Sequence, residues 1–258
     1  MRNWQYVKHH GLSWIQRRKP VQQFETRLYV GRAGSGKTLF ATRDAIELMR
    51  QGVVVVSNYR IWDRVTGAES HIIEDWTDFL WWSVFALREK KSVVFVIDEI
   101  HLWAPSRFYE KSPAWFLGLL AQHRHYNVGI IGTTQNLARC EIVLRELVYS
   151  IVFVKPHVLR PRLGGIEMPL YSFTGCDPLA MSGEYGQPPR HAKWKTTWVP
   201  WYVFGGYSTT ELMAVNEWRD DAETTEKIEG LTNEARLLTR AERPATLAEW
   251  FGEVALDS

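Results

Sequence analysis

Residues 31–38 read Gly31-Arg32-Ala33-Gly34-Ser35-Gly36-Lys37-Thr38, which matches the phosphate-binding pattern G-x-x-x-x-G-K-[S/T] at every fixed position. Glycines let such a loop wrap with its backbone N–H groups facing phosphate oxygens, and the helix that follows adds its positive dipole end. We expect Lys37 to reach the β- and γ-phosphates and the Thr38 hydroxyl to hold Mg²⁺. These residues therefore predict a site for a magnesium-bound triphosphate.

The residues on either side of the loop fit the same motif. Arg27–Val30 predicts a short strand that runs into the loop, and the amphipathic segment from Leu39 to Arg50 predicts a helix that follows it. The motif requires this order of strand, loop and helix. A glycine-rich turn with a coincidental lysine is the alternative interpretation, and the flanking strand and helix argue against it.

A second motif supplies two carboxylates. Val93–Ile97 is wholly apolar and predicts a buried strand, which is followed by Asp98 and Glu99. In this Walker B arrangement the first carboxylate, Asp98, holds the Mg²⁺ shell opposite Thr38, and Glu99 polarises the attacking water as a general base. A strand that ends in two acids is common by chance, but its pairing with a phosphate loop favours a hydrolytic site.

A polar cluster follows another predicted strand. Val128–Gly132 is apolar, and Thr133-Thr134-Gln135 comes directly after it. Because parallel sheets bind ligands at the carboxyl ends of their strands, Gln135 is placed to sense the γ-phosphate or to orient the attacking water.

The alternation of strands and helices from Arg27 to Val154 predicts an α/β fold with a mostly parallel sheet and helices on both faces. The other predicted core elements are the strands Val53–Ser57 and Ile151–Val154, the helices Asp75–Glu89, Ser112–Tyr126 and Leu137–Val148, and a loop from Asn58 to Ser70. We divide the chain into an N-terminal arm (1–25), an ATPase-like core (26–155), a β-rich extension (156–210) and a C-terminal helical segment (211–258). In the extension, the alternating segment Lys193–Phe204 predicts the strands of a hairpin.

Composition excludes several classes of protein. A net charge of +2 over 258 residues identifies no partner, so a nucleic-acid surface would have to be a local cluster. Cys140 and Cys176 are far apart and form no C-x-x-C pattern, which argues against a disulfide scaffold and a zinc site and suits a reducing compartment. No apolar run approaches the roughly 18 residues needed to cross a bilayer, and the first residues lack a signal-peptide core. We expect a cytosolic protein.

Together these motifs resemble those of the FtsK/HerA branch of P-loop ATPases, motors that pump DNA. Four segments carry the resemblance, which extends over roughly residues 27–155: Gly31–Thr38, Val93–Glu99, Gln122–Tyr126 and Gly132–Gln135. Two subgroups are similar, the genome-packaging ATPases of tailless viruses with an internal membrane and the zonula occludens toxin (Zot)-like assembly ATPases of filamentous phages. Both share a segment similar to Arg124–Ile131 with its following Thr-Thr-Gln, and a late aromatic-x-threonine element similar to Tyr207-Ser208-Thr209. The resemblance implies a RecA-like (ASCE) P-loop fold that uses ATP and Mg²⁺.

The resemblance also implies a ring, with six subunits expected and ATP at each subunit boundary. In such rings a neighbouring subunit supplies a positive group to the transferring phosphate. Arg124, Arg139 and Arg145 are the candidates, and we favour Arg124 or Arg145 over a salt-bridge or surface role. The expected load is double-stranded DNA, held through its phosphates without sequence specificity. The candidate DNA contacts, for each of which ordinary solvated charge is the alternative, are Arg160, Arg162, Arg190, Lys193 and Lys195.

Of the two subgroups, packaging is the expected role. Zot-like proteins usually begin almost at the phosphate loop and carry a membrane span, whereas this chain has a 25-residue arm and no span. A packaging motor would act in the host cytoplasm or at a capsid vertex, on capsid or membrane vertex proteins. The alternatives are a Zot-like, membrane-associated ATPase that extrudes single-stranded phage DNA, a P-loop protein that binds nucleotide without moving anything, and a small-molecule kinase. The Asp98-Glu99 pair with Gln135 argues against the kinase.

Overall fold

The computed structural model describes residues 25–104, 114–140, 142–156, 162–163, 166–167, 170–176, 188, 192–199, 202–207 and 222–241. The arm predicted at 1–25, apart from Glu25, and the helix start predicted at Ser112-Pro113 lie outside these residues.

The central feature of the described residues is an eight-stranded sheet. The strands in chain order are β1 (Thr26–Val30), β2 (Val54–Ser57), β3 (His71–Ile72), β4 (Val93–Ile97), β5 (Val128–Thr134), β6 (Ser150–Pro156), β7 (Arg162–Leu163), β8 (Ile166–Glu167), β9 (Leu170–Cys176) and β10 (Lys195–Trp198). The order across the sheet is β10-β9-β6-β1-β5-β4-β2-β3, and β7 and β8 form a separate antiparallel pair. Strands β1 to β6 run parallel to one another where they pair, whereas β9 pairs antiparallel with both β6 and β10.

Helices cover both faces of this sheet. They are α1 (Lys37–Met49), α2 (Trp76–Glu89), α3 (Ala114–Gln122), α4 (Ile142–Leu147) and α5 (Ala222–Ala241), with single 3-10 turns at Ile100–Leu102, His123–Tyr126 and Leu137–Arg139. On one face α1 packs Phe40 and Ile46 into a core with Tyr29 and Val94 of the strands. On the other face α2, α3 and α4 form a second core, while α5 packs against α2. The α/β fold with a mostly parallel sheet is therefore confirmed.

Local sequence explains why these elements form. The five residues of β4 are all buried, as expected for a strand covered by helices on both faces. Asp75 begins α2 with a capping box, because its side chain accepts from the backbone of Thr77 and Asp78 while the Asp78 carboxylate accepts from the Asp75 N–H. In the part of the chain that the structure describes, no helix is both long enough and apolar enough to cross a bilayer.

The strand order determines where a site can form. Strand β5 lies between β1 and β4, so the carboxyl ends of these three strands, Val30, Ile97 and Thr134, meet at one edge. We call this the carboxyl edge. Backbone bonding ties it together, since Gly31 N donates to the Thr134 carbonyl oxygen at 3.3 Å. The phosphate loop and the acidic pair thus emerge side by side.

Three local predictions differ from the structure. The hairpin predicted within Lys193–Phe204 is wrong, because β10 pairs with β9 and the chain then turns to bury Val199 and Val203 on the α1 side of the sheet. The helix predicted at Leu137–Val148 is interrupted, since Cys140 has an extended backbone (φ −82°, ψ 151°) and packs in the core. The short edge strand β3, just after the loop predicted at Asn58–Ser70, has no counterpart among the predicted elements. The predicted extension of the sheet by β-structure is confirmed in β9 and β10.

Candidate nucleotide site

The phosphate loop leaves β1 at Gly31 and enters α1 at Lys37. Two of its glycines have no room for a side chain. A Cβ on Gly31 would lie 2.4 Å from the Val154 carbonyl oxygen, and one on Gly36 would lie 2.7 Å from the Tyr171 ring of β9. Gly36 also has a left-handed backbone (φ 95°) as the residue that caps α1. The loop's shape therefore depends on glycine at both ends.

Lys37 and Thr38 extend from the first turn of α1 toward the acidic pair. The buried Lys37 Nζ donates to the Arg32 carbonyl oxygen at 3.3 Å and lies 3.6 Å from Glu99 Oε1. Thr38 Oγ1 lies 3.0 Å from Asp98 Oδ1 and 3.1 Å from Asp98 Oδ2. The two motifs, 60 residues apart in sequence, are thus in direct contact.

Asp98 is held through both its backbone and its carboxylate. Asn58, the residue after β2, donates from Nδ2 to the Asp98 carbonyl oxygen at 3.0 Å and accepts from the Asp98 N–H at 2.8 Å. The carboxylate accepts from the hydroxyls of Thr38 and Thr133. Burial raises the pKa of the Asp98 carboxyl; both hydroxyls oppose that rise and the charge of Glu99 adds to it. The charge of Lys37 also opposes the rise, and a bound cation would oppose it further.

Glu99 turns its side chain toward the phosphate loop. Its backbone is left-handed (φ 47°), and its N–H donates to Thr133 Oγ1 at 3.0 Å. Oε1 accepts from Gln135 Nε2 at 3.3 Å, while Oε2 lies 3.3 Å from His101 Nδ1 and makes no hydrogen bond within the described residues. A strained non-glycine backbone at this point aims the carboxylate at the loop.

These side chains fit a magnesium-bound triphosphate. A hydroxyl and a carboxylate oxygen, from Thr38 and Asp98, are the hard oxygen ligands that Mg²⁺ prefers beside phosphates. The buried Ser35 Oγ has no hydrogen-bond partner among the described residues, as expected of a loop built to hold an anion. In the same residues no group of three His, Cys, Asp or Glu side chains could hold a metal ion.

The structure brings together some predicted site residues and separates others. Five of them meet at the carboxyl edge: Lys37, Thr38, Asp98, Glu99 and Gln135. The exposed Arg124 precedes β5 and therefore lies at the opposite edge, about 20 Å away along that strand.

The other two arginines differ in their surroundings. Arg145, on α4, acts electrostatically on the buried Cys140 thiol, whose pKa burial raises to about 11. The exposed Arg139 follows Gln135 along the chain, and its charge lowers the pKa of His101, so it lies nearer the carboxyl edge. Within one subunit, the charge of Arg139 thus acts on a residue at the carboxyl edge.

The candidate DNA contacts lie on the extension where they are described. Lys195 is exposed at the start of β10, the edge strand of the sheet, and Lys193 is exposed two residues before it. Lys155 Nζ lies 3.9 Å from the centre of the Trp194 ring. Arg162 is part of β7. Arg160 and Arg190 lie outside the described residues.

Three residues of the site carry no role in the sequence-based prediction. Asn58 belongs to a predicted loop, although an Asn directly after a buried strand next to β4 could have suggested a role at the carboxyl edge. Thr133 belongs to the predicted polar cluster, in which only Gln135 is assigned chemistry. The signal for His101 is a polar residue among the apolar neighbours Ile100, Leu102 and Trp103.

The family model described as zonular occludens toxin (Zot) matches residues 25–156, just over half of the 258-residue chain. The matched range holds the phosphate loop, the acidic pair and Gln135. A search of curated proteins gave no match.

Among solved structures, the chain is similar to the genome packaging NTPase B204 from Sulfolobus turreted icosahedral virus 2 in complex with ATP-gammaS, at 13% identity, with 66% of this chain and 100% of that chain covered and a TM-score of 0.46. It is also similar to the N-terminal domain of zonular occludens toxin from Neisseria meningitidis, at 19% identity, with 72% and 99% covered and a TM-score of 0.46. The DNA-packaging ATPase B204 from Sulfolobus turreted icosahedral virus matches at 15% identity, with 64% and 98% covered and a TM-score of 0.43.

Proposed function

This chain is a P-loop ATPase that belongs to the zonular occludens toxin (Zot) family, and on that premise we propose that it hydrolyses magnesium-bound ATP to move DNA during virus assembly. The observation that carries the proposal is the contact between Thr38 and Asp98, 3.0 Å apart, with Glu99 beside it. This contact supports the proposal because it brings the residues expected to hold the phosphates and the metal next to the proposed base.

Each residue has a role in hydrolysis. Lys37 would neutralise charge on the β- and γ-phosphates, and Thr38 and Asp98 would hold Mg²⁺, which would supply positive charge to offset that of the phosphates. Glu99 accepts a proton from the attacking water while the oxygen of that water bonds to the γ-phosphorus. The bond to the β,γ-bridging oxygen breaks, which yields ADP and phosphate. Gln135, bonded to Glu99, orients the water or senses the γ-phosphate.

The proposed working unit is a ring, expected to be a hexamer, in which a neighbouring subunit supplies an arginine to the active site. Arg124 and Arg145 are the candidates favoured by the sequence. The position of Arg124 at the far edge suits action on a neighbouring subunit, because it cannot reach the nucleotide of its own. The proposed load is DNA, gripped through its phosphates by exposed lysines such as Lys193 and Lys195.

Family membership favours phage assembly over genome packaging. The Zot-like assembly ATPases of filamentous phages extrude single-stranded DNA, and membership in the Zot family supports that role for this chain. The other role is packaging of duplex DNA into a capsid, by a protein of the host cytoplasm or a capsid vertex. The DNA test below distinguishes packaging from extrusion.

Steady-state hydrolysis tests the chemistry. We expect Lys37→Ala to lose nucleotide binding or turnover and Glu99→Gln to retain bound ATP while its turnover falls by about 10²-fold or more. Binding of ATP to Glu99→Gln, followed by gel filtration or equilibrium dialysis, separates loss of the base from loss of the fold. Normal turnover in Glu99→Gln would remove this residue from the mechanism.

The motor is tested by the response to DNA. The ATPase rate is measured without nucleic acid, with duplex and with single strands, at several salt concentrations, alongside the mass of the assembly with a non-hydrolysable ATP analogue. Stimulation by single strands and co-fractionation with membranes support assembly, whereas stimulation by duplex alone supports packaging. Mixing Arg124→Ala with Lys37→Ala subunits tests action in trans, since only an arginine from a neighbour lets two inactive proteins restore partial activity. A rate indifferent to both forms of DNA would end the motor proposal.

A further inference from the structure

The carboxylate of Glu99 lies among three side chains from three parts of the chain. Lys37 Nζ of the phosphate loop lies 3.6 Å from Oε1, and Gln135 Nε2 donates to the same oxygen at 3.3 Å. His101 Nδ1, from the 3-10 turn after β4, lies 3.3 Å from Oε2. Lys37 and Gln135 have roles toward the nucleotide, and His101 is the member of this set without one.

The hydrogen bonds around His101 indicate which ring nitrogen carries the proton. The Thr134 hydroxyl donates to the Asn136 carbonyl oxygen at 3.1 Å, so its oxygen faces His101 Nδ1, 3.4 Å away, as an acceptor. The other neighbour of Nδ1 is a carboxylate oxygen of Glu99, which also accepts. Since both neighbours accept, the proton belongs on Nδ1 and points between Thr134 and Glu99.

The environment keeps this imidazole neutral. The His101 side chain is 13% exposed. Burial lowers the pKa of His101, the charges of Arg139 and Lys37 lower it further, and the charge of Glu99 opposes them. A neutral donor can orient a carboxylate without the strong ion pair that would suppress its basicity.

Glu99 Oε2 is buried and makes no hydrogen bond among the described residues, although His101 Nδ1 is within reach. A small rotation of the carboxylate would complete that bond. A triphosphate in the loop would attract Lys37 away from Glu99 Oε1, because the phosphates carry more negative charge than one carboxylate. Glu99 would then keep Gln135 on one oxygen and gain His101 on the other.

We propose that His101 is a positioning residue that fixes the Glu99 carboxylate for proton abstraction once ATP has drawn Lys37 away. The inference rests on the proposed hydrolytic function and adds to it a residue that acts through Glu99. His101 also joins Glu99 to Thr134 at the end of β5, whose carbonyl accepts from Gly31 of the phosphate loop at 3.3 Å. The orientation of the base is thereby coupled to the loop that holds the phosphates.

Substitutions at His101 distinguish the contribution of Nδ1 from that of Nε2. The amide nitrogen of Asn stands as many bonds from Cα as Nδ1 does, and that of Gln as many as Nε2. We expect His101→Ala and His101→Gln to lower kcat about 10- to 100-fold with little change in KM for ATP, and His101→Asn to recover most of the loss. His125 is an exposed histidine at the opposite edge of the sheet. His125→Ala is therefore the matched control and should keep wild-type kcat.

A double substitution tests whether His101 acts through Glu99. In a Glu99→Gln background, His101→Ala should lower the residual rate by less than about twofold, because there is no carboxylate left to orient. Undiminished kcat in His101→Ala, equal recovery by Asn and Gln, or an equal loss in both backgrounds would overturn the inference. Melting temperatures of every variant identify losses caused by unfolding. Absence of hydrolysis in the wild type, or normal turnover in Glu99→Gln, would instead refute the proposed function itself.

Discussion

Two buried aspartates, Asp63 and Asp98, show how differently this chain treats a carboxylate. Asp63, in the turn after β2, faces Arg50 at the end of α1, whose guanidinium donates to its two oxygens at 2.7 and 2.6 Å. Thr66 Oγ1 and the Val65 N–H complete its partners. Asp98, at the carboxyl edge, accepts from two threonine hydroxyls and lies near the charges of Glu99 and Lys37. Asp63 is compensated by a cation that hydrogen-bonds to both of its oxygens, whereas Asp98 has no hydrogen-bonded cation among the described residues.

The pKa values of the two groups move in opposite directions for that reason. The hydrogen bonds from Arg50 hold the pKa of Asp63 well below its usual range, in spite of burial. Burial raises the pKa of Asp98, and the charge of Glu99 adds to that rise. Asp63 therefore stabilises the fold, whereas the Asp98 carboxylate is left for a bound cation to pair with. Burial alone does not distinguish them; Arg50 hydrogen-bonds to the Asp63 carboxylate, whereas Lys37 acts on Asp98 through its charge alone.

The largest effect is expected when the uncompensated acid is neutralised. Asp98→Asn should lower kcat by roughly 10³-fold, because a lost metal ligand removes several kcal/mol of transition-state stabilisation. Its melting temperature in EDTA should equal or exceed that of the wild type, since the substitution removes a buried carboxylate to which no cation is hydrogen-bonded among the described residues. Hydrolysis across a magnesium titration and thermal unfolding by circular dichroism give the two readouts.

Asp63→Asn is the matched control for this experiment, with the same substitution at another buried aspartate. It should leave kcat within about twofold of the wild type, because Asp63 does not contact the carboxyl edge. If Asp98→Asn were instead the less stable of the two variants and hydrolysed ATP normally, Asp98 would be a structural residue like Asp63.

A smaller effect is expected at Asn58, which supports the backbone of Asp98. Asn58→Ala removes two hydrogen bonds from buried groups, and we expect a loss of about 3 kcal/mol in the free energy of unfolding and about 10-fold in kcat. Denaturant unfolding and steady-state kinetics measure the two losses. Asn136→Ala, which removes an exposed cap bond to the Ala138 N–H, is the control and should lower stability by about 1 kcal/mol. An unchanged kcat in Asn58→Ala would show that Asp98 needs no backbone support.

The side chains of the carboxyl edge were largely predictable from sequence, because spacing within a motif fixes them. Gly31 to Thr38 and the pair after β4 carry their own signals, and a parallel sheet brings the ends of its strands together. Asn58 and His101 were not predictable in the same way. Each acts on a residue distant in sequence or on a neighbour in a turn, and no local pattern announces such a contact.

The extension was predicted less well for a related reason. Alternation in Lys193–Phe204 identified a strand correctly, but a strand's partner is a non-local property. Strand β9 supplies that partner, and Tyr171 of β9 then contacts Gly36, which no sequence pattern could have indicated. Pairing and packing of this kind depend on the assembled sheet, whereas the phosphate loop depends on one short segment.

The compensated acid should matter for stability alone. Asp63→Asn is expected to lower the free energy of unfolding by about 2 kcal/mol, because Arg50 loses its charged partner but stays partly hydrated. For a chain of this size, that corresponds to a fall of roughly 5 °C in melting temperature. Arg50→Lys, which keeps the charge without the two-point geometry, should fall between the wild type and Asp63→Asn. Equal stability of all three would show that the ion pair contributes nothing.

The smallest effect is the pH dependence of the same differences, and its sign separates the two acids. The folded-state pKa of Asp63 lies below its ordinary value of 3.8, so its contribution is fully present above that pH and declines as the pH falls below it. The stability gap between wild type and Asp63→Asn should therefore be constant from neutral pH to about 5 and shrink by about 1 kcal/mol as the pH falls through about 4.

For Asp98 the folded pKa lies above 3.8, so protonation favours the folded state. The free energy of unfolding of the wild type should therefore rise relative to that of Asp98→Asn over the same fall in pH. Denaturant unfolding of the three proteins in EDTA between about pH 7 and 3.5 measures both trends. Parallel curves would mean that the two carboxylates experience the same environment, and the contrast between a structural and a metal-binding aspartate would fail.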